Sequence, residues 1–154
     1  MIYGFTRRNF RKGDLPRIIE LRRQGIRASF PGRELDERKF RERLLKAAKK
    51  ETESIQVLEK AGKGGGRGEL IGYIWFGLGD GDVGKYGFLR QIFIRKDFRK
   101  RGLAEELLAH AEKYLASKGA KSMRLMVTDA NFDAVKFYGK MNYRKARLMM
   151  EKDL

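Results

Sequence analysis

Between residues 88 and 104 an apolar run gives way to a basic turn and then to a glycine-opened amphipathic segment. The order is Ile92-Phe93-Ile94-Arg95-Lys96-Asp97-Phe98-Arg99-Lys100-Arg101-Gly102-Leu103-Ala104, and it predicts a strand, a short turn and a helix in succession. Leu103, Leu107, Leu108, Ala111 and Leu115 share one side of that helix, and Gly119 stops it. A strand delivered into an amphipathic helix needs a sheet with helices packed on it, which makes this an α/β chain. The first turn of such a helix has free N–H groups and a positive dipole end, both suited to a phosphate. Small residues at Gly102 and Ala104 would let an anion approach the backbone, with Arg95, Arg99, Lys100 and Arg101 as counter-charge. On these residues alone, an anion site and an ordinary turn glycine beside exposed cations explain the segment equally well.

The remaining elements extend the same class. Residues 1–8 read as a first strand, and Asp14 with Pro16 as a helix start carrying Ile18, Leu21 and Ile26. A second helix over residues 35–50 places Phe40, Leu44, Leu45 and Ala48 on one face, with Glu37/Arg41 and Glu42/Lys46 paired on the other. A strand around Ile55 and Val57, a glycine-rich loop over 62–68 and an apolar strand over 70–78 follow. A Gly/Asp-rich loop is expected over 77–87. Strands are expected over 88–94 and 122–128, a short helix over 131–140, and a last strand over 143–151. The order β-α-α-β-β-β-α-β-α-β, about six strands and four helices, contains no linker or repeat, so residues 1–154 form a single domain.

Composition removes several kinds of chemistry. The chain has no cysteine and one histidine, His110, which excludes disulfides, thiolate sites and most zinc or Ser-His arrangements. No stretch reaches membrane-spanning length, and the basic N-terminal segment lacks the apolar run of a signal peptide, so a cytoplasmic protein with no membrane partner is expected. The formal net charge is +16. A solvated surface rich in Lys, Arg and Glu accounts for it, and a polyanionic partner such as nucleic acid or the ribosome would also fit.

A second constellation is Asn131-Phe132-Asp133-Ala134-Val135-Lys136-Phe137-Tyr138, followed by Met141-Asn142-Tyr143. Asn131 stands where a cap would stand, and Ala134 and Tyr138 share a helix face, which leaves room for a ligand beside the phenol. The two segments resemble the GNAT superfamily of N-acyltransferases. Arg99-x-x-Gly102-x-Ala104 is similar to its pyrophosphate loop, and Asn131 to Tyr143 is similar to its N-x-x-A-x-x-F-Y-x-x-x-G-F segment, in the family's order and spacing.

The resemblance implies a GNAT-like fold with a central, mostly antiparallel mixed sheet. It also implies acetyl-CoA (coenzyme A) as acyl donor, with no metal. By the same resemblance, the backbone of Ile92, Phe93 and Ile94 would pair with the pantetheine arm. The amides of Arg99, Lys100, Arg101, Gly102, Leu103 and Ala104 would hold the pyrophosphate, Asn131 would contact the cofactor, and Tyr138 would protonate the leaving thiolate as the catalytic acid.

This chain departs from the family where a base is expected. The usual acidic positions hold Arg90, Gln91 and Met126, leaving Asp129, Asp80, Asp82 or a water chain. The motif glycine is Asn142, which tolerates a left-handed backbone. Arg90 would repel a cationic amine and suit a substrate bearing a carboxylate or phosphate, or else it simply ends a strand in solvent. The expected activity is N-acetyl transfer to an amine: a protein N-terminus, a lysine, a polyamine, a sugar amine or an amino acid. A basic RNA- or ribosome-associated module on a silent acyltransferase fold is the alternative. Dimers are frequent among similar proteins, so a homodimer is one assembly the resemblance allows.

Overall fold

The computed structural model describes residues 2–154; Met1, the first residue of the expected first strand, lies outside them. Five strands, β1 (Phe5–Asn9), β2 (Ile55–Lys60), β3 (Glu69–Gly81), β4 (Gly84–Ile94) and β5 (Met123–Leu125), form one sheet in sequential order. All neighbours are antiparallel except β4 and β5, which run parallel. The helices are α1 (Leu15–Ser29), α2 (Glu37–Lys50), α3 (Leu103–Ser117) and α4 (Phe132–Lys140).

Each face of the sheet carries its own core. Ile18, Leu21, Phe40 and Leu44 of α1 and α2 pack on Val57, Tyr73 and Trp75. Leu103, Leu107, Leu108 and Ala111 of α3 pack on Leu58, Ile71, Ile74 and Phe76. The division follows from side-chain alternation along β3. Bulges interrupt the alternation twice. Ile71 is the extra residue on β3 opposite the Leu58/Glu59 step, and Arg90 is the extra residue on β4 opposite Trp75/Phe76.

Three expectations are corrected. The Gly/Asp-rich segment 77–87 is not a loop. β3 and β4 continue through it to a tight turn at Asp82 and Val83. Its glycines are strand residues, and two of them are covered by aromatic rings from across the ladder: a Cβ on Gly77 would sit 2.4 Å from Phe88 Cζ, and one on Gly79 would sit 2.4 Å from Tyr86 Cζ. Asp14 does not cap α1 with its side chain. A 3-10 turn over Lys12–Asp14 precedes the helix, and the Asp14 carboxylate accepts both arms of Arg8 (2.8 Å each) and the Arg11 N–H (2.7 Å). Burial raises the Asp14 pKa, but those donors outweigh it and hold the carboxyl below its ordinary value. The last strand expected over 143–151 is absent, and the segment after Tyr143 has no regular structure. The edge open to it is β5, only three residues long, which offers too short a ladder to hold another strand.

Candidate active site

The sheet opens where β4 and β5 part. β5 pairs with β4 only at Gly87, Phe88 and Leu89, so the β5-side edge of β4 from Arg90 to Ile94 has no strand beside it among the described residues. Ile92, Phe93 and Ile94 therefore lie in the unpaired half, still held on their other side by β3 through the pairs Ile74↔Ile92, Tyr73↔Phe93 and Gly72↔Ile94.

From Ile94 the chain makes a 3-10 turn, Lys96–Phe98, and enters α3 through two left-handed residues, Lys100 (φ 61°) and Gly102 (φ 78°). The amides of Lys100, Arg101, Gly102, Leu103 and Ala104 have no backbone acceptor among the described residues, which leaves a cluster of N–H groups at the positive end of a helix of 15 residues. The Arg99 amide differs, since it donates to the Lys96 carbonyl at 3.3 Å.

The cations around this loop are not equivalent. Arg95 is neutralised by Asp97, at 2.7 and 2.9 Å, and by Glu69. Arg99 donates from Nε to the Ile94 carbonyl at 2.7 Å and lies over the Phe93 ring, 5.2 Å from its centroid, so it braces the end of β4. Arg101 reaches the Asp97 carbonyl at 3.3 Å, and Lys100 is exposed. The counter-charge expected from four side chains comes mainly from Arg99, Lys100 and Arg101.

The second segment forms as the spacing predicts. Asn131 caps α4, its Oδ1 accepting the Ala134 N–H at 3.2 Å. At the far end Asn142 is left-handed (φ 68°), and the Tyr143 N–H returns to the Tyr138 carbonyl at 2.9 Å, closing the helix in a Schellman arrangement. Tyr138 is half-buried against the α3-side core, the core that Ile92 and Ala104 also border, between the rings of Phe137 (5.2 Å) and Tyr143 (5.8 Å). Burial pushes its phenol up to about 12, so it stays protonated at neutral pH. Its hydroxyl makes no hydrogen bond among the described residues, whereas the Tyr143 hydroxyl donates to Glu112 at 2.6 Å.

On the opposite face, buried Tyr73 donates its hydroxyl to Gln91 Oε1 at 2.8 Å, and Arg90 leans over Trp75 and Phe88. The sequence reading missed Tyr73 and also Arg22. Arg22 was detectable, because a cation between Ile18 and Ile26 at four-residue spacing stands on the apolar stripe of α1. Asp80 and Asp82 are far from this centre. They lie at the tip of the β3–β4 hairpin, where Asp80 pairs with Lys85, about 17 Å along the strand from Arg90. Asp129 is exposed in the turn before α4. His110 is held by Arg7 (3.2 Å) and Glu53 (3.7 Å) on the flank of α3. Among the described residues no group of His, Asp and Glu side chains is placed to hold a metal, and no helix is long and apolar enough to cross a membrane.

Comparison with known proteins gives a consistent result. The model described as the acetyltransferase (GNAT) family matches residues 16–143. An acetyltransferase of Pectobacterium atrosepticum is 34% identical over 76 residues, which is 49% of this chain and 51% of the relative. The chain spans about half the length of the curated relatives it matches. Among solved structures, a GCN5-related N-acetyltransferase from Ralstonia eutropha superposes with a TM-score of 0.76 at 18% identity, covering 97% of this chain and 99% of that one. AAC(6')-Iy, in complex with a CoA-S-monomethyl-acetylneamine bisubstrate analog, superposes with a TM-score of 0.70 at 20% identity, covering 97% and 98%. At those identities the likeness is one of fold.

Proposed function

The chain belongs to the acetyltransferase (GNAT) family, and from that premise we propose that it transfers the acetyl group of acetyl-CoA to a primary amine by direct attack on the thioester. The observation that carries this reading is the split between β4 and β5, which leaves one edge of Arg90 to Ile94 without a strand beside it, the Ile94 carbonyl being taken by Arg99, next to a helix N-terminus with unengaged amides.

The donor is a substrate, and each part of it has a chemical counterpart in the chain. The amides of Lys100 to Ala104 suit the pyrophosphate, with Arg99, Lys100 and Arg101 as counter-charge. The free edge of Ile92 to Ile94 suits the amide-bearing pantetheine arm, which would lie along it as a strand does. Asn131 keeps its side-chain nitrogen for the donor, because its oxygen caps α4. An N–H at the bulge would stabilise the charge that develops on the thioester oxygen. Tyr138 serves the leaving sulfur. Its phenol, raised to about 12, is a weaker acid than an ordinary thiol near 8.5, so it acts by donating a hydrogen bond to the departing thiolate. The proton that ends on sulfur is balanced by the one the amine loses on becoming an amide. With no carboxylate at Arg90, Gln91 or Met126, the acceptor reaches the site as neutral amine, its proton given up to solvent.

The test is thermal unfolding with and without acetyl-CoA at physiological salt, with ATP as a phosphate control. At a hundredfold its dissociation constant the donor adds about 2.7 kcal/mol of stability. A shift with acetyl-CoA and little with ATP is expected. Equal shifts with both would reduce the loop to a nonspecific basic surface and refute the reading.

A further inference from the structure

We propose that the acceptor is a primary amine that also carries an anionic group, a carboxylate or a phosphate, received by Arg22 and Arg90 on the α1/α2 face of the sheet. The inference rests on the acyl-transfer reading and names the acceptor class for that same site.

The α3 face beside β4 is taken by Tyr138 and the α3 N-terminus, so an acceptor approaches from the opposite face, where Gln91 and Phe93 are half-buried and Tyr73 and Trp75 are buried. Two arginines without carboxylate partners belong to that face, Arg90 beside Gln91 on β4 and Arg22 on α1. Arg22 lies on α1 between buried Ile18 and Ile26. Gly25, one turn further on, sits so close that a Cβ there would be 3.3 Å from the Phe93 ring, which presses this side of α1 onto β4. The Arg22 Nε is buried and has no hydrogen-bond partner among the described residues. A buried guanidinium N–H without an acceptor is costly, and an incoming oxyanion would satisfy it. Arg90 is the bulged residue next to Gln91. Its guanidinium lies 5.4 Å from the centre of the Trp75 ring and 4.8 Å from that of Phe88, and it makes no salt bridge among the described residues.

Arg8, Arg17, Arg23, Arg38, Arg41 and Arg95 have carboxylates within salt-bridge distance. Among the arginines without one, Arg22 is set apart by its buried, unpartnered Nε and Arg90 by its place on the β4 bulge. A guanidinium packed over aromatic rings with no carboxylate partner keeps N–H groups to offer, and its fork matches the two oxygens of a carboxylate or phosphate. Beside Arg90 a cleft of about 420 Å³ opens between the C-terminal ends of α2 and α3. Lys50 and Lys118 line it, with Glu51 as its one acid. This field disfavours a polyamine or lysine and favours an acceptor whose own anion offsets its ammonium. An amine held beside Arg90 would feel the same cations, which favour its neutral form where no carboxylate base stands.

The experiment measures kcat/KM for acetyl-CoA-dependent acetylation of paired probes: glycine against glycinamide, O-phosphoethanolamine against ethanolamine, and spermidine as a cation. At least one anionic probe should exceed its neutral partner roughly ten- to a hundredfold, the range set by a hydrogen-bonded charge pair. The pair with the larger ratio identifies the anion. Arg22→Gln and Arg90→Gln should bring that ratio close to one, Arg90→Lys should keep part of it, and acetyl-CoA should still raise the unfolding midpoint of all three variants. Neutral or cationic amines performing equally or better, no turnover of either anionic probe, or a ratio unchanged in both glutamine variants would each overturn the proposal. In each of those cases acetyl-CoA stabilisation of the unaltered chain leaves the acyl-transfer reading standing. Its absence would remove that reading and this one together.

Discussion

Gly102 offers a quantitative test of the donor site. Its φ of 78° costs an L-residue about 1–2 kcal/mol, and Lys100 two residues earlier already bears such a conformation. Sterically the position is lenient, since a Cβ would meet only the flexible tip of Ile2 at 3.3 Å, with Glu105 Oε2 next at 3.9 Å. Gly102→Ala should therefore lose about 1–2 kcal/mol, which for a domain of this size lowers the unfolding midpoint by about 2–8 °C. Gly102→Glu carries the same backbone strain and adds a carboxylate beside Glu105, at the mouth of the free amides. If the pyrophosphate lies there, a hundredfold weakening of acetyl-CoA reduces the ligand's contribution from about 2.7 to about 0.4 kcal/mol at a concentration that saturates the unaltered protein. Calorimetry or dye-monitored melting with and without acetyl-CoA reads both quantities. The difference between the alanine and glutamate variants cancels the backbone strain. A glutamate variant that keeps the full ligand shift would refute the assignment of the loop.

Other expectations follow from the geometry. Tyr138→Phe should lower kcat by about tenfold to a hundredfold with little change in KM for acetyl-CoA. Its stability should stay within about 0.5 kcal/mol, because the hydroxyl has no hydrogen-bond partner among the described residues to lose; a large stability loss with normal turnover would assign Tyr138 to packing alone. Burial raises the phenols of Tyr73, Tyr138 and Tyr143 in the folded chain only, Tyr138 to about 12, so the unfolded chain ionises first. Stability should be fully present below about pH 10 and decline as pH rises toward 12, and a melting midpoint flat across that window would contradict the burial. Asn142→Val, which forces a β-branched residue into a left-handed C-cap, should cost about 1–2 kcal/mol in chemical denaturation.

What could be read from the chain in advance was local. The strand, turn and helix around Gly102 and the capped helix from Asn131 depend on residues within one or two turns of each other, and both form where the spacing puts them. Readings that depended on distant neighbours went astray. Gly77 and Gly79 look like loop residues until Phe88 and Tyr86 are laid across them by the opposite strand. Arg95 looks like a phosphate ligand until its near neighbour Asp97 and the distant Glu69 together neutralise it. Asp14 looks like a cap until Arg8 takes its carboxylate. The tail after Tyr143 has an apolar content that suits a strand, but β5 is too short to receive one. The Tyr73–Gln91 bond and the orphaned nitrogen of Arg22 exist only once α1, β3 and β4 are packed together, and no local pattern encodes that packing.

The gap between β4 and β5 is also a hazard. A partly buried, strongly apolar edge at Ile92-Phe93-Ile94 with unpaired backbone groups is the kind of template on which another extended chain can grow. The charge of Arg90 at one end acts as a gatekeeper, while occupation of the gap would block it directly. The protein should therefore aggregate more readily on heating when nothing fills that edge than when acetyl-CoA does. A ligand that takes part in the chemistry would then also help to keep the chain from aggregating.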